Sequence, residues 1–150
     1  MLKNLPYSAS IWGMVACLGA EQALASDLPH LFDQLKKPSY HAAFSDLFGG
    51  QKDLDPWLRG YLRNRNGVDT PGQSIEAGRY ELYNVCKPHD CPGNVLYTMF
   101  VPGGSKAWAL LTRDGRIERF FGHPGSLRRA ILIAQCKIQA EDIGLEVCDG

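Results

Sequence analysis

The chain has 150 residues, of which 45% are hydrophobic and 21% charged, so it can form one domain with a hydrophobic core and is not extensively disordered. Sixteen basic residues balance sixteen acidic residues. Because the formal net charge is zero, no overall field would attract nucleic acid or an anionic membrane surface, and we expect neither as a partner.

The first 25 residues differ in composition from the rest of the chain. They contain Lys3, an apolar run over residues 11–20, and a small residue on either side of Leu24 just before Ser26. This pattern predicts a secretory signal peptide over residues 1–25 and a mature domain over residues 26–150. The apolar run is too short to cross a bilayer permanently. A buried N-terminal helix and a lipoprotein cleavage site at Cys17 are the alternatives.

Two amphipathic helices are predicted in the first half of the mature chain. The first would have Ser39 as its N-cap and would stop at the glycine pair 49–50. The second would have Asp55 as its N-cap and Pro56 at its first helical position. Residues 27–38 and 64–74 are predicted to be irregular because their composition is mixed or rich in turn-forming residues.

After Ile75 the hydrophobic pattern changes from helical to alternating. Four consecutive strands joined by short turns imply an antiparallel meander. The predicted strands cover residues 79–86, 94–101, 106–112 and 116–121.

A closing helix is predicted from Ser126 onward, and it should lie against one face of the sheet. The residues predicted to face the sheet are Leu127, Ala130, Ile131 and Ala134. The sequence therefore predicts an α+β fold, in which an antiparallel β-sheet meander has flanking helices and a disulfide loop connects two of its strands.

Disulfides are expected because removal of a signal peptide would remove Cys17 and leave four of the five cysteines. Four cysteines allow three pairings, and sequence proximity favours Cys86 with Cys91 and Cys136 with Cys148. Loop-closure entropy suggests about 2 kcal/mol for the smaller ring and about 3 kcal/mol for the larger. The smaller ring is therefore better explained as fixing a local shape than as a general staple.

The smaller ring, Cys86–Cys91, has the sequence CKPHDC and connects two predicted strands, where loops are exposed and often functional. Pro88 and the predicted disulfide restrict His89. A charged imidazole donates from both ring nitrogens, which suits it to bridge two carboxylates.

Three other interpretations of this ring remain open. Cys86, His89 and Cys91 are all potential metal ligands, although their spacing matches no common zinc motif. A cysteine nucleophile or redox site would need a free thiolate. The ring can also be a stapled hairpin in which His89 is solvated and idle. The sequence shows no paired carboxylates typical of an enzyme, so we predict no catalytic residue, metal or cofactor.

The CKPHDC segment resembles the signature loop of the inhibitor of vertebrate lysozyme family, often called Ivy. The upstream segments HAAF, residues 41–44, and DPWL, residues 55–58, agree with this resemblance. The resemblance is strongest from about His41 to Asp90 and looser up to about Arg119. It implies a periplasmic, non-enzymatic inhibitor of C-type lysozyme, which would protect peptidoglycan from host defence by inserting this ring into the active-site cleft.

By analogy with the family, His89 would reach the two catalytic carboxylates of lysozyme. Asp90 would orient or extend the polar contacts, while Lys87 and Pro88 would shape the tip. Cys86 and Cys91 would keep the ring rigid.

The resemblance leaves several points open. A control factor for the bacterium's own lytic transglycosylases, or an exported cell-wall enzyme, is the alternative function, and a homodimer is possible because some family members form one. The C-terminal end departs from the family pattern. There Cys136 and Cys148 would tie the last helix to an acidic tail, which we interpret as a structural staple.

Overall fold

The structure is a computed structural model, and it describes residues 28–142 and Cys148. The predicted signal peptide and the predicted cleavage site lie outside the described residues, as does most of the acidic tail. Within the described part of the chain, no helix is both long enough and apolar enough to cross a membrane.

The described residues form helices before and after a central sheet. The helices are α1 Leu31–Gln34, α2 Pro38–Phe48, α3 Pro56–Asn64 and α4 Ser126–Asp142. Asp55 caps α3 as predicted, because its carboxylate accepts a hydrogen bond from the Trp57 backbone N–H at 3.3 Å. The single-turn helix α1 was not predicted.

The predicted N-cap of α2 is wrong. The helix begins at Pro38, whose fixed φ suits the first helical position and which has no N–H to satisfy. Ser39 therefore lies inside the first turn, where its hydroxyl donates to the backbone oxygen of Gly103 at 2.8 Å. This bond ties α2 to the turn between two strands.

The sheet has six strands that pair only in antiparallel fashion. They are β1 Val68–Asp69, β2 Gln73–Ile75, β3 Tyr80–Cys86, β4 Val95–Phe100, β5 Ala107–Arg113 and β6 Arg116–Phe121. The strand order is β1-β3-β4-β5-β6, and β2 also pairs with β3. The predicted four-strand meander is confirmed as β3 to β6, whereas β1 and β2 occupy a segment predicted to be largely irregular.

Both faces of the sheet are covered by helices. Successive side chains of a strand point to opposite faces, so Tyr83 and Val85 pack with the layer of α1 to α3, whereas Leu82 packs with α4. The same alternation places Leu110 in the α4 cluster and Leu111 in the other cluster. The predicted α+β class is confirmed, and the core consists of two apolar layers separated by the sheet.

The predicted sheet-facing side of α4 is largely wrong. Leu127 is 62% exposed, and Ala130 and Ala134 are also exposed. The residues buried on α4 are Ile131, Leu132, Cys136 and Ala140. Cys136 is bonded to the buried Cys148, and both belong to the apolar cluster between α4 and the sheet. The helix is therefore rotated so that the disulfide side faces the sheet.

The ring Cys86–Cys91 lies at one end of the sheet, because Cys86 is the last residue of β3 and pairs with Val95 at the start of β4. Val68 of β1 also pairs with Cys86. The turn between β5 and β6 lies at the same end. This end of the sheet holds the candidate functional site.

Candidate functional site

The ring is closed by a disulfide between Cys86 and Cys91, whose Cα atoms are 4.8 Å apart. This link and the Cys136–Cys148 link are the pairs favoured by sequence proximity. The ring connects two neighbouring strands, as predicted, so the β3–β4 ladder holds both of its ends. Because both ring cysteines are in a disulfide, neither offers the thiolate that a nucleophile or metal site needs.

His89 occupies the tip of a tight turn within the ring. The Asp90 backbone N–H donates to the Lys87 carbonyl oxygen at 3.1 Å, which places Pro88 and His89 at the two central positions. His89 has a φ of 63°. Because proline holds a negative φ at the first central position, a positive φ at the second is the mark of a type II turn.

The backbone of His89 is in the left-handed region, which costs a residue with a side chain roughly 1–2 kcal/mol, although histidine enters this region more often than most residues do. His89 is exposed, and the other five ring residues are half-buried. Within residues 28–142 and Cys148, its imidazole has no hydrogen-bond or ion-pair partner. The side chain is thus presented outward with both ring nitrogens available.

Asp90 braces the ring from within. Its Oδ2 atom accepts from Lys87 Nζ at 2.9 Å and from Asn94 Nδ2 at 2.9 Å. The hydrogen bond from Lys87 to Asp90 raises the pKa of Lys87 above its ordinary value, and the carboxylates of Asp55 and Asp114 act in the same direction. Lys87 is therefore firmly cationic, and one oxygen of Asp90 is engaged inside the loop.

Asn94 is a site residue that the sequence analysis missed. It is 3% exposed, and its side chain donates to Asp90 while its backbone oxygen accepts from the Lys87 N–H at 3.0 Å. One buried residue on the limb leaving the ring is therefore bonded both to Asp90 and to the limb entering the ring. The signal was a polar residue at the first position of the predicted strand 94–101, but asparagine next to a loop is usually interpreted as a turn residue.

An open pocket of about 480 Å³ lies beside the ring on the α4 side of the sheet. Its walls are mainly apolar and neutral polar, and they include Asn84, the ring cysteines and Tyr97. Among the lining residues in the described part of the chain, none is an aspartate or a glutamate. These described residues thus do not offer the paired carboxylates on which a glycoside hydrolase depends.

Metal binding gains no support from the geometry of the described residues, among which no group of three or more His, Cys, Asp and Glu side chains could hold an ion. The arrangement is a displayed loop. Its chemistry consists of one outward imidazole, one neighbouring ammonium group and a backbone closed by a disulfide.

The fold and site define a small disulfide-containing protein that presents a rigid polar loop at one end of a sheet. A family model described as inhibitor of vertebrate lysozyme, Ivy, matches residues 39–129. This match covers more than half of the chain and includes the whole ring. The chain belongs to the inhibitor of vertebrate lysozyme family.

Individual relatives agree with this assignment. An inhibitor of vertebrate lysozyme from Pseudomonas aeruginosa is 35% identical over 140 residues, which cover 81% of this chain and 89% of the relative. One from Escherichia coli K12 is 29% identical over 93 residues, which cover 61% of this chain and 55% of the relative. An uncharacterised protein from Yersinia pestis is 31% identical over 84 residues, covering 55% of this chain and 52% of the relative.

Proposed function

We propose that this protein is a periplasmic inhibitor of C-type lysozyme that inserts the ring Cys86–Cys91 into the active-site cleft. The observation that carries the proposal is the exposed His89 at the tip of a disulfide-closed turn, without a partner in the described part of the chain. The names of the Pseudomonas and Escherichia relatives support the choice of target.

The chemistry of the target fits a bridging imidazole. Retaining glycosidases such as lysozyme hold two carboxyl groups roughly 5 Å apart across the scissile bond. A protonated imidazole donates from two nitrogens on opposite sides of its ring, so His89 can bond both carboxylates at once. The ammonium group of Lys87, which is paired with Asp90, lies next to the tip. The inhibitor performs no bond-making step and occupies the place of the sugar.

Rigidity of the loop contributes to affinity. Binding is weakened by the entropy lost when flexible groups become ordered. The disulfide, Pro88 and the hydrogen bonds of Asp90 restrict the ring before it meets its target. The left-handed backbone at His89 is part of this preorganised shape.

The ring alone cannot supply tight binding. Charge-assisted hydrogen bonds contribute about 1.5 to 3 kcal/mol each, whereas nanomolar affinity requires about 12 kcal/mol. An ordinary interface buries about 800 Å² per partner. In the sheet order, Val68 of β1 lies on one side of the ring and the β5–β6 turn lies on the other. Val68 is 50% exposed, so these two flanks are our candidates for the rim of the interface.

Periplasmic location and the signal peptide over residues 1–25 are part of the proposal, as is a role against host defence. Lytic transglycosylases remain an alternative target and a homodimer an alternative state. The choice of target is an outcome of the tests below.

The decisive experiment measures lysis of peptidoglycan by a vertebrate C-type lysozyme in the presence of the purified protein. We expect His89→Ala to weaken inhibition at least about tenfold, the loss of one charge-assisted hydrogen bond or more. His41→Ala is the matched control, since His41 is also exposed but lies on α2. Competition with an N-acetylglucosamine oligosaccharide should raise the apparent inhibition constant.

Three results would contradict the proposal. Inhibition by His89→Ala that equals wild type would show that the imidazole is idle. Hydrolysis of peptidoglycan by the protein alone would support the enzyme alternative. Inhibition of lytic transglycosylases but not of lysozyme would reassign the target.

A further inference from the structure

The turn between β5 and β6 supports the limb of the loop that leaves the ring. The Gly115 backbone N–H donates to the Gly93 carbonyl oxygen at 2.9 Å. Gly93 permits this close approach, because a Cβ atom there would lie 3.2 Å from Asp114 Cα and 3.3 Å from Gly115 N. Those distances are shorter than ordinary carbon contacts of about 3.5–4.0 Å. The turn is therefore seated directly against the backbone that follows the ring.

The same turn is held from its other side by the second disulfide. The Cys148 backbone N–H donates to the Gly115 carbonyl oxygen at 2.7 Å. Cys148 is 1% exposed and is bonded to Cys136 of α4, with 6.0 Å between the two Cα atoms. The N–H of Gly115 is thus bonded to the loop, and its carbonyl oxygen is bonded to Cys148.

These contacts form a continuous path from α4 to the ring. It runs from Cys136 through Cys148 and Gly115 to Gly93, two residues beyond Cys91. Beyond Cys136, α4 packs on one face of the sheet, where Leu132 is buried. The path joins a helix on one face of the sheet to the loop at its end, although the two are far apart in sequence.

We propose that the Cys136–Cys148 disulfide is a positioning device for the inhibitory ring. It fixes the β5–β6 turn as a support for Gly93 and so sets the direction in which His89 is presented. This inference deepens the proposed function and rests on it for its effect on lysozyme. Cys136 and Cys148 are positioning residues and do not touch the target.

The test compares the wild-type chain with the variant Cys136→Ala/Cys148→Ala, in which the Cys86–Cys91 link is verified by mass mapping. We expect inhibition of lysozyme to weaken about threefold or more, because the loop must then be ordered on binding. Hydrogen exchange of the free protein should show faster exchange at the backbone amides of Gly115 and Asp90. Both amides are hydrogen-bonded in the wild-type structure.

A matched control separates positioning from general destabilisation. Ile131→Ala removes an apolar contact of α4 and leaves both disulfides and the path through Gly115 intact. Assays are run at a temperature where every variant is folded. Ile131→Ala should inhibit like wild type and should keep the Asp90 amide protected.

A second variant approaches the path from the loop side. Gly93→Ala keeps both disulfides but places a methyl group against Asp114 and Gly115, so it should weaken inhibition and speed exchange at Asp90. Because both changes break one path, their combined effect should be smaller than the product of the separate effects.

The outcomes distinguish this inference from the proposed function. Wild-type inhibition together with unchanged Asp90 exchange in Cys136→Ala/Cys148→Ala would overturn the inference and leave lysozyme inhibition standing. If the wild-type protein does not inhibit lysozyme, the proposed function fails, and the exchange data still decide whether the disulfide orders the ring. If Gly93→Ala and Cys136→Ala/Cys148→Ala weaken inhibition by factors that multiply when they are combined, the shared path would also be overturned.

Discussion

The two disulfide bonds of this protein serve different structural purposes. The Cys86–Cys91 link closes a short ring of half-buried residues around one exposed histidine. Cys136 and Cys148 are 0% and 1% exposed and belong to the apolar cluster between α4 and the sheet. A disulfide at the surface shapes what a partner would meet, whereas a buried one determines how neighbouring elements are packed.

The surroundings of the two links differ in the same way. The ring contains an ion pair and a left-handed residue, and its Asp90 carboxylate accepts hydrogen bonds from the side chains of Lys87 and Asn94. The buried link has Leu132 and Leu110 among its neighbours in the cluster. The comparison teaches that loss of the first link should mainly affect binding and loss of the second should mainly affect stability.

The largest expected effect comes from breaking the ring. Cys86→Ala/Cys91→Ala should weaken lysozyme inhibition at least about tenfold while lowering the free energy of unfolding by only about 2 kcal/mol. Cys136→Ala/Cys148→Ala should lower the free energy of unfolding more, by about 3 kcal/mol, and should weaken inhibition less than the ring variant does. Urea unfolding and lysozyme inhibition of the same samples measure both quantities. A stability loss that is larger for the ring would contradict the comparison.

The position of the ring was predictable from sequence because its determinants are local. Strand alternation located β3 and β4, and a cysteine at the end of β3 with a second one in the connection predicted a stapled loop. The Asp55 cap and Pro56 likewise identified the start of α3. Each of these signals depends on residues within a few positions of one another.

Other features depend on contacts between distant segments. Strands β1 and β2 have two and three residues, which is too short for a recognisable period, and they exist because β3 offers them a partner. The rotation of α4 was missed because the predicted face left out Cys136, whose disulfide partner packs in the cluster between α4 and the sheet. The role of Gly115 was equally hidden, since both of its partners are far from it in sequence.

A smaller effect is expected from removing the brace inside the ring. Asp90→Ala deletes the bonds from Lys87 and Asn94, so inhibition should weaken about threefold to tenfold, as expected for one or two hydrogen bonds that order a loop. The pKa of Lys87 should fall toward its ordinary value, because the hydrogen bond to Asp90 is the main cause that raises it. Inhibition assays and an NMR titration of Lys87 Nζ test the two effects.

The matched control for this brace is an ion pair of the same spacing outside the ring. Asp33 accepts from Lys36 at 2.7 Å on the exposed surface around α1. Asp33→Ala should leave inhibition unchanged, because an isolated exposed pair contributes little to structure. Equal effects of the Asp33 and Asp90 substitutions would show that surface charge, and not bracing of the ring, determines inhibition.

The smallest effect concerns alkaline stability on the side of the buried disulfide. Burial raises the pKa of Tyr97 to about 12, and Tyr97 belongs to the same apolar cluster as Cys136 and Cys148. The folded state therefore holds this phenolic proton more tightly than the unfolded state, in which the pKa is about 10. The stability linked to Tyr97 is fully present below pH 10 and is lost as the pH rises toward 12.

Urea unfolding at pH 9, 10 and 11 should show stability falling less steeply in Tyr97→Phe than in wild type, since phenylalanine has no proton to release. Identical slopes in the two proteins would mean that Tyr97 does not couple pH to the packing of α4 against the sheet.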